Sequence, residues 1–218
     1  MKIGLFGGTF DPPHAGHLIV AQDALVALGL DGVLFVPAAI PPHKLGRSVS
    51  PAADRARMLE LAIDGDARFG MDPIELRRSG PSFTIDTVRE LMAREPSARW
   101  TLLIGADQYA DFEAWREPAE LRRLARVGVL TRRGTHGRGA EDALAPQVRI
   151  PGVSTLPNGD VRVDVTRVDI SATAVRRRAA AGLSIRYLVP AAVETYISEH
   201  RLYGRNGIQV TGYDSGSP

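Results

Sequence analysis

His14 and His17 are the first side chains in the chain able to do chemistry as a pair. They stand three apart, the spacing that puts two residues on one face of a helical turn. Gly7-Gly8-Thr9-Phe10-Asp11-Pro12-Pro13 runs directly before them. The apolar run Ile3 to Phe6 precedes the glycines and reads as a short buried strand. Paired glycines let the chain turn there and bring its backbone close to a ligand. Asp11-Pro12 reads as a helix start, with Asp11 as the cap and Pro12 in the first turn. Strand, glycine turn and helix N-terminus make an anion site, because backbone N–H groups and the positive end of the helix dipole converge. An imidazole, with an ordinary pKa of about 6.5, donates to a phosphate oxygen as a cation or as a neutral ring. Gly7, Gly8, Thr9 and Phe10 are therefore candidate phosphate binders, and His14 and His17 candidate catalytic donors. The plainer alternative is two surface histidines on a capped helix.

A second cluster of the same kind lies far along the chain, in Asp169-Ile170-Ser171-Ala172-Thr173-Ala174-Val175-Arg176. Ser171 reads as an N-cap, and Thr173 and Arg176 share a helix face. N–H groups, a hydroxyl and a guanidinium there point one way, which suits phosphate. Ile170, Ser171, Thr173 and Arg176 join the candidates. Pro41-Pro42-His43-Lys44 follows a second predicted strand, and Lys44 would serve as a mobile point charge. Ser82-Phe83-Thr84 opens a helix whose hydroxyls either cap it or leave its N-terminus to a substrate carboxylate. Gly105 and Asp107 end a strongly apolar strand, and Asp107 is either a cap or a ligand. Trp115 is either core or a flat surface for stacking a ring.

Positioning these residues takes an α/β chain. Strands are predicted over 2–6, 33–36, 69–76 with an interruption at Pro73, 100–104 and 127–130. Asn158-Gly159 marks a hairpin turn before the alternating Val161, Val163 and Val165. Helices are predicted over 18–28, with Ile19, Leu25 and Val26 as apolar positions, and from the Ser50 cap and Pro51 through Met58, Leu59, Leu61, Ala62 and Ile63. Others run over 82–94, around Leu121 and Leu124, from Ser171, and over 190–200 with Val193, Tyr196 and Ile197 inward. Strands alternating with helices imply a parallel sheet with right-handed crossovers, which binds ligands at its carboxyl edge.

The 218 residues suffice for one domain with a real core, and none is cysteine, so disulfides and thiolate metal sites are excluded. Net charge is +2, with Lys2 and Lys44 the only lysines. Arginines such as Arg55, Arg57, Arg122, Arg123 and Arg176 to Arg178 interleave with acids and read mostly as a solvated face, not a nucleic-acid groove. No apolar run is long enough for a membrane span, and the N-terminus leads straight into a strand without an evident leader, which fits a cytoplasmic enzyme. Residues 1–203 read as a single domain. The segment 132–146 reads as a mobile loop and 204–218 as a flexible C-terminal tail.

The stretch Gly-Gly-Thr-Phe-Asp-Pro-Pro-His-Ala-Gly-His resembles the His-x-Gly-His signature of a nucleotidyltransferase superfamily, and Ile170 to Arg176 its Ile-Ser-x-Thr-x-x-Arg signature. Pro41 to Lys44, Ser82 to Thr87, Ile104 to Asp107 and Trp115 look like the bacterial nicotinate-nucleotide adenylyltransferases. The resemblance runs from about residue 2 to Tyr203. It implies a Rossmann-like, doubly wound, mostly parallel sheet with helices on both faces. It implies adenylyl transfer from ATP to nicotinate mononucleotide, with Mg²⁺ held by phosphates and water, not by protein side chains. It places His14 and His17 at the α-phosphate and Lys44, Thr173 and Arg176 at the β- and γ-phosphates. Asp107 falls at a ribose or metal-bound phosphate, Thr84 at the nicotinate carboxylate and Trp115 on the pyridine ring. The chain departs from the pattern at Phe83, where the family often has Tyr, and at Arg116, where many members have an aromatic. Phosphopantetheine adenylyltransferase, an amide-preferring sister enzyme and a non-catalytic nucleotide sensor are the competing readings. Partners are small molecules, and the oligomeric state stays open, a homo-oligomer included.

Overall fold

The computed structural model describes residues 1–39, 49–78, 80–132 and 152–204. Its sheet has seven strands in the order β3-β2-β1-β4-β5-β7-β6. These are β1 (Lys2–Gly8), β2 (Gly32–Pro37), β3 (Phe69–Met71), β4 (Arg99–Gly105), β5 (Arg126–Arg132), β6 (Val153–Thr155) and β7 (Val161–Val165). Every pairing is parallel except β6 with β7. The hairpin joining that last pair turns through Asn158-Gly159, with Gly159 at φ 87. Among the described residues there are seven α-helices: α1 (Ala15–Leu28), α2 (Ala52–Ile63), α3 (Thr84–Arg94), α4 (Ala106–Ala110), α5 (Pro118–Leu124), α6 (Ala172–Ala180) and α7 (Ala191–Glu199). None of the described helices is long and apolar enough to cross a membrane.

Adjacent residues of β1 show why helices lie on both faces. Side chains alternate along a strand. Leu5 packs with Ile85, Val88 and Leu91 of α3 and Leu121 of α5. Phe6 packs with Ala21, Ala24 and Leu25 of α1 and Leu59 of α2. A third cluster joins α2, α6 and α7 through Met58, Val175, Val193 and Ile197. The strand order reverses direction at β1, which neighbours both β2 and β4. Ligands of such sheets bind outside the carboxyl ends at that reversal.

Several boundaries differ from the sequence expectation. β1 continues through Gly7 and Gly8, and the turn falls instead on Phe10, at φ 50. Asp11 does not cap a helix: α1 starts at Ala15 with His14 as its N-cap. Ile19 and Val26 are exposed, because α1 turns Gly16, Ala21, Ala24 and Leu25 inward. Pro51, not Ser50, is the N-cap of α2. Past Met71 the chain leaves the sheet at Pro73 and makes a 3-10 turn, Ile74–Arg77. The segments 40–48, 133–151 and 205–218, with the expectations made for them, lie outside the described residues.

That 3-10 turn carries a half-buried carboxyl group. Glu75 Oε1 accepts from Thr87 Oγ1 at 2.8 Å. Burial raises the Glu75 pKa, opposed by the Thr87 hydrogen bond and the nearby charge of Arg78. A raised folded-state pKa means the native protein holds the proton more tightly than the unfolded chain. The favourable contribution is complete below the ordinary glutamate range and is lost as pH rises through the raised value. Glu75→Gln keeps the acceptor and removes the buried charge. Urea unfolding at pH 7 will show a higher midpoint for the variant, and at pH 4 a midpoint close to wild type. Equal shifts at both pH values would contradict this.

Candidate active site

β1 ends at Gly8, and the carboxyl edge there is built from two helix ends. His14 is the N-cap of α1 and is only 6% exposed. Its backbone N–H donates to His17 Nδ1 at 3.2 Å. In the neutral ring that acceptor role leaves the proton on Nε2, the nitrogen on the far side of the imidazole. The two rings stack, with centroids 3.7 Å apart and planes inclined by 21°. Phe10 is buried beneath them, edge-on to His17 at 5.1 Å. The Phe10 side chain is thus a floor for His17, and only its backbone could meet a ligand. The Phe10 ring also lies over Gly8, where an added Cβ would come within 2.9 Å of it, while Gly7 has open space above.

The second motif comes back to the same place. Ser171 caps α6 by accepting from Ala174 N at 3.1 Å. Arg176 Nη1 donates to the Asp11 carbonyl at 2.6 Å, and Nη2 reaches Thr173 Oγ1 at 3.4 Å. Arg176 therefore lies on the His14–His17 side of the sheet, joined to the first motif through its own backbone. Ile170 packs into the α2–α6–α7 cluster, and Ser171 spends its hydroxyl on the cap. Thr173 is exposed.

The middle motifs gather at the β4 end of the same edge. Gly105 is the N-cap of α4, and Asp107 folds its carboxylate back to within 2.6 Å of where a Gly105 Cβ would stand. α4 has no side-chain cap bond, so Asp107 is not its cap. Thr84 begins α3 behind Phe83 as N-cap, and neither Ser82 nor Thr84 caps it. Trp115 is half-buried, tilted against Phe112 at 5.2 Å. The segments of Thr84 and Trp115 meet, since the Arg116 guanidinium sits 4.8 Å above the Phe83 ring. Lys44 lies outside the described residues.

Residues 5–178 match the Cytidylyltransferase-like family. A Geobacillus thermodenitrificans protein named probable nicotinate-nucleotide adenylyltransferase is 43% identical over 205 residues, 93% of this chain and 86% of its own. A Thermomicrobium roseum protein of the same name is 41% identical over 202 residues, 93% of this chain and 91% of its own. The chain belongs to the nicotinate-nucleotide adenylyltransferase family. The fold is shared with Plasmodium falciparum nicotinic acid mononucleotide adenylyltransferase, solved as a complex with NaAD. The two superpose with TM-score 0.68 at 18% identity, over 93% of this chain and 97% of that one.

Family membership turns attention to residues that the motifs did not single out. Arg55, expected among the solvated arginines, is 2% exposed. Its guanidinium donates to the carbonyls of Thr9 at 2.9 Å, Ala38 at 2.7 Å, Ala39 at 3.1 Å and Ser50 at 3.1 Å. Burial lowers its pKa, opposed by the charge of Asp11. Asp11, 3% exposed, accepts from Tyr203 Oη at 2.7 Å and from Ser50 N at 3.3 Å. Burial, and then the bond to Asp11, push the Tyr203 pKa up. The first motif is thereby held by α2 and by a residue near the far end of the chain. A signal for Arg55 existed: Arg55, Met58, Leu59 and Ala62 make an i, i+3, i+4, i+7 stripe, and the arginine sits on its apolar face. Tyr203 carried none. Arg122 is likewise not simply solvated, as its Nε bonds buried Asp160 at 3.1 Å, while Arg57 and Arg123 pair with glutamates at the surface.

The glycine of the His-x-Gly-His spacing has a steric reason. A Cβ on buried Gly16 would come within 3.1 Å of His14 Nδ1. Gly16→Ala should therefore move the His14 ring by a few tenths of an ångström and lower kcat by about tenfold, because misplaced catalytic groups are costly in rate. Steady-state kinetics beside a thermal melt will show the rate loss with a Tm near wild type. An unchanged kcat would refute the steric role.

Proposed function

We infer that the chain transfers the adenylyl group of ATP to nicotinate mononucleotide, giving nicotinate adenine dinucleotide and pyrophosphate, a step of NAD biosynthesis. The observation that carries this is the return of Arg176 to Asp11, which puts a guanidinium, two imidazoles and two helix N-termini at one sheet edge. Such a cluster neutralises a triphosphate. A phosphate oxygen of the mononucleotide attacks the α-phosphorus in line. The bond from that phosphorus to the bridging oxygen breaks, and pyrophosphate leaves with the electron pair. The attacking oxygen is already anionic, so no general base is needed, and alignment with charge stabilisation suffices.

His17, through Nε2–H, and His14 donate to the α-phosphate oxygens as charge builds. Arg176, Thr173 and Lys44 hold the leaving group. Backbone N–H groups of Gly7, Gly8, Thr9 and Phe10 line the triphosphate, with Ile170 and Ser171 contributing from the start of α6. Gly105 and Asp107 receive a nucleotide ribose or metal-bound phosphate. Thr84 meets the nicotinate carboxylate, and Trp115 stacks on the pyridine. Residues 1–203 act as one nucleotidyltransferase unit working on small molecules in the cytoplasm.

Among the described residues no three His, Asp or Glu side chains group as a metal site. A divalent ion, Mg²⁺, enters as part of the ATP substrate, held by phosphate oxygens and water, as its reluctance to dehydrate favours. Excess EDTA will abolish pyrophosphate release and added Mg²⁺ will restore it. Full activity in EDTA would contradict the assignment. The function itself is tested by measuring pyrophosphate release from ATP with nicotinate mononucleotide, nicotinamide mononucleotide and phosphopantetheine in one buffer. The acid mononucleotide should be the preferred acceptor. Preference for phosphopantetheine, or ATP binding without release on any acceptor, would refute the reading.

A further inference from the structure

Phe83 and Arg116, the two departures from the family pattern, prove to be a contact pair. The Arg116 guanidinium carbon lies 4.8 Å from the Phe83 ring centroid, within cation–π range. Phe83 is the N-cap of α3, one residue before Thr84, and Arg116 follows Trp115. The geometry is built, not incidental. Glu117 turns the chain in the left-handed region, at φ 55, which is costly for a residue with a side chain. Arg89 of α3 locks that turn with two bonds to Glu117, at 3.2 and 2.6 Å. Glu117 also pairs with Arg116 Nε, at 3.9 Å, a longer contact than its two bonds to Arg89. The Arg116 side chain remains 54% accessible.

A nicotinate and a nicotinamide ring have nearly the same shape and differ by one charge. Hydroxyls and backbone N–H groups bond the carbonyl oxygen of either. The first turn of α3 also carries Asp86, an acid that weakens the pull of the helix end on a carboxylate. Glu117 and Glu120 spend their charge mainly on Arg89 and Arg123, which leaves the half-exposed Arg116 as a cation beside the Trp115 segment for the ring substituent. A guanidinium laid on an aromatic ring keeps its charge, is weakly hydrated and holds its donors in a fixed fork.

We propose that Arg116, held on Phe83, is a specificity-determining residue that favours the carboxylate of nicotinate mononucleotide over the carboxamide of its amide. The proposal rests on the reading above that the pyridine ring stacks at Trp115. Its test is kcat/KM for both mononucleotides in wild type, R116Q and R116K, each at low and moderate salt. R116Q lowers the acid-to-amide ratio by about tenfold, the size of one charge-assisted contact, and the loss appears in KM for the acid. R116K, which keeps the charge, retains most of the ratio. Salt lowers the ratio in wild type more than in R116Q, as expected of a partly exposed charge. An acid-to-amide ratio in R116Q within twofold of wild type, with wild type turning over the acid, overturns the proposal alone. A wild type idle on both mononucleotides overturns the function reading and this proposal with it.

Discussion

Replacing His17 by alanine will lower adenylyl transfer by about a hundredfold to a thousandfold, as loss of one preorganised donor does at other developing oxyanions. The ring is fixed on three sides. His14 N–H holds its Nδ1, the His14 ring stacks on one face, and Phe10 and Phe6 meet it edge-on. A donor so placed needs little reorganisation when charge develops on the α-phosphate, and its loss should fall on kcat. The same ring caps His14 N–H, so alanine also costs the α1 N-terminus about 0.5–2 kcal/mol. Rapid-quench kinetics alongside urea unfolding will separate the two effects. The expected result is a rate loss far larger than the stability loss explains, with the variant folded. Near-normal turnover in a folded variant would remove His17 from the chemistry.

Arg55→Met will be the most destabilising single change in the site, at about 3–5 kcal/mol, the cost of breaking a buried charge network by deleting one partner. Methionine fills similar volume but offers no donor. The carbonyls of Thr9, Ala38, Ala39 and Ser50 lose a shared partner, and buried Asp11 keeps Arg176 at 3.9 Å but loses the second charge that balances it. Arg55→Lys restores a charge without the planar fork and recovers only part of the loss. Because Thr9 lies in the loop proposed to bind phosphate, turnover should fall as well. Chemical denaturation measures the first effect directly. A midpoint for Arg55→Met within about 1 kcal/mol of wild type would mean that the guanidinium is dispensable.

The contrast between these two residues shows what could be read from the chain. That His14 and His17 stand together after β1 is legible because the signal is local: glycines, a strand before and a helix after lie within a dozen residues. The Ser171 cap and the Gly159 hairpin are legible for the same reason, and both are present. The stripe of α2 signals that Arg55 is buried but not what it bonds, because its acceptors are brought together only when β1, β2 and α2 pack. Tyr203 meets Asp11 across 192 positions, and no local pattern encodes that bond. The glycine pair was misjudged in a different way. Gly8 is needed because the Phe10 ring covers it, not because the strand turns there, and the positive φ falls on Phe10. Likewise α1 approaches the sheet through alanines and a glycine, which leaves Ile19 and Val26 outside. The Phe83–Arg116 pair was visible only as two separate departures until α3 and the turn before α5 were docked.

Direct in-line transfer at a single triphosphate site is tested most sharply with ATP radiolabelled at the α-phosphorus, mixed with nicotinate mononucleotide and quenched on the timescale of one turnover. The label should appear wholly in the dinucleotide, with unlabelled pyrophosphate formed in equal amount. Label left covalently on the protein, or a labelled dinucleotide formed without pyrophosphate, would contradict the account.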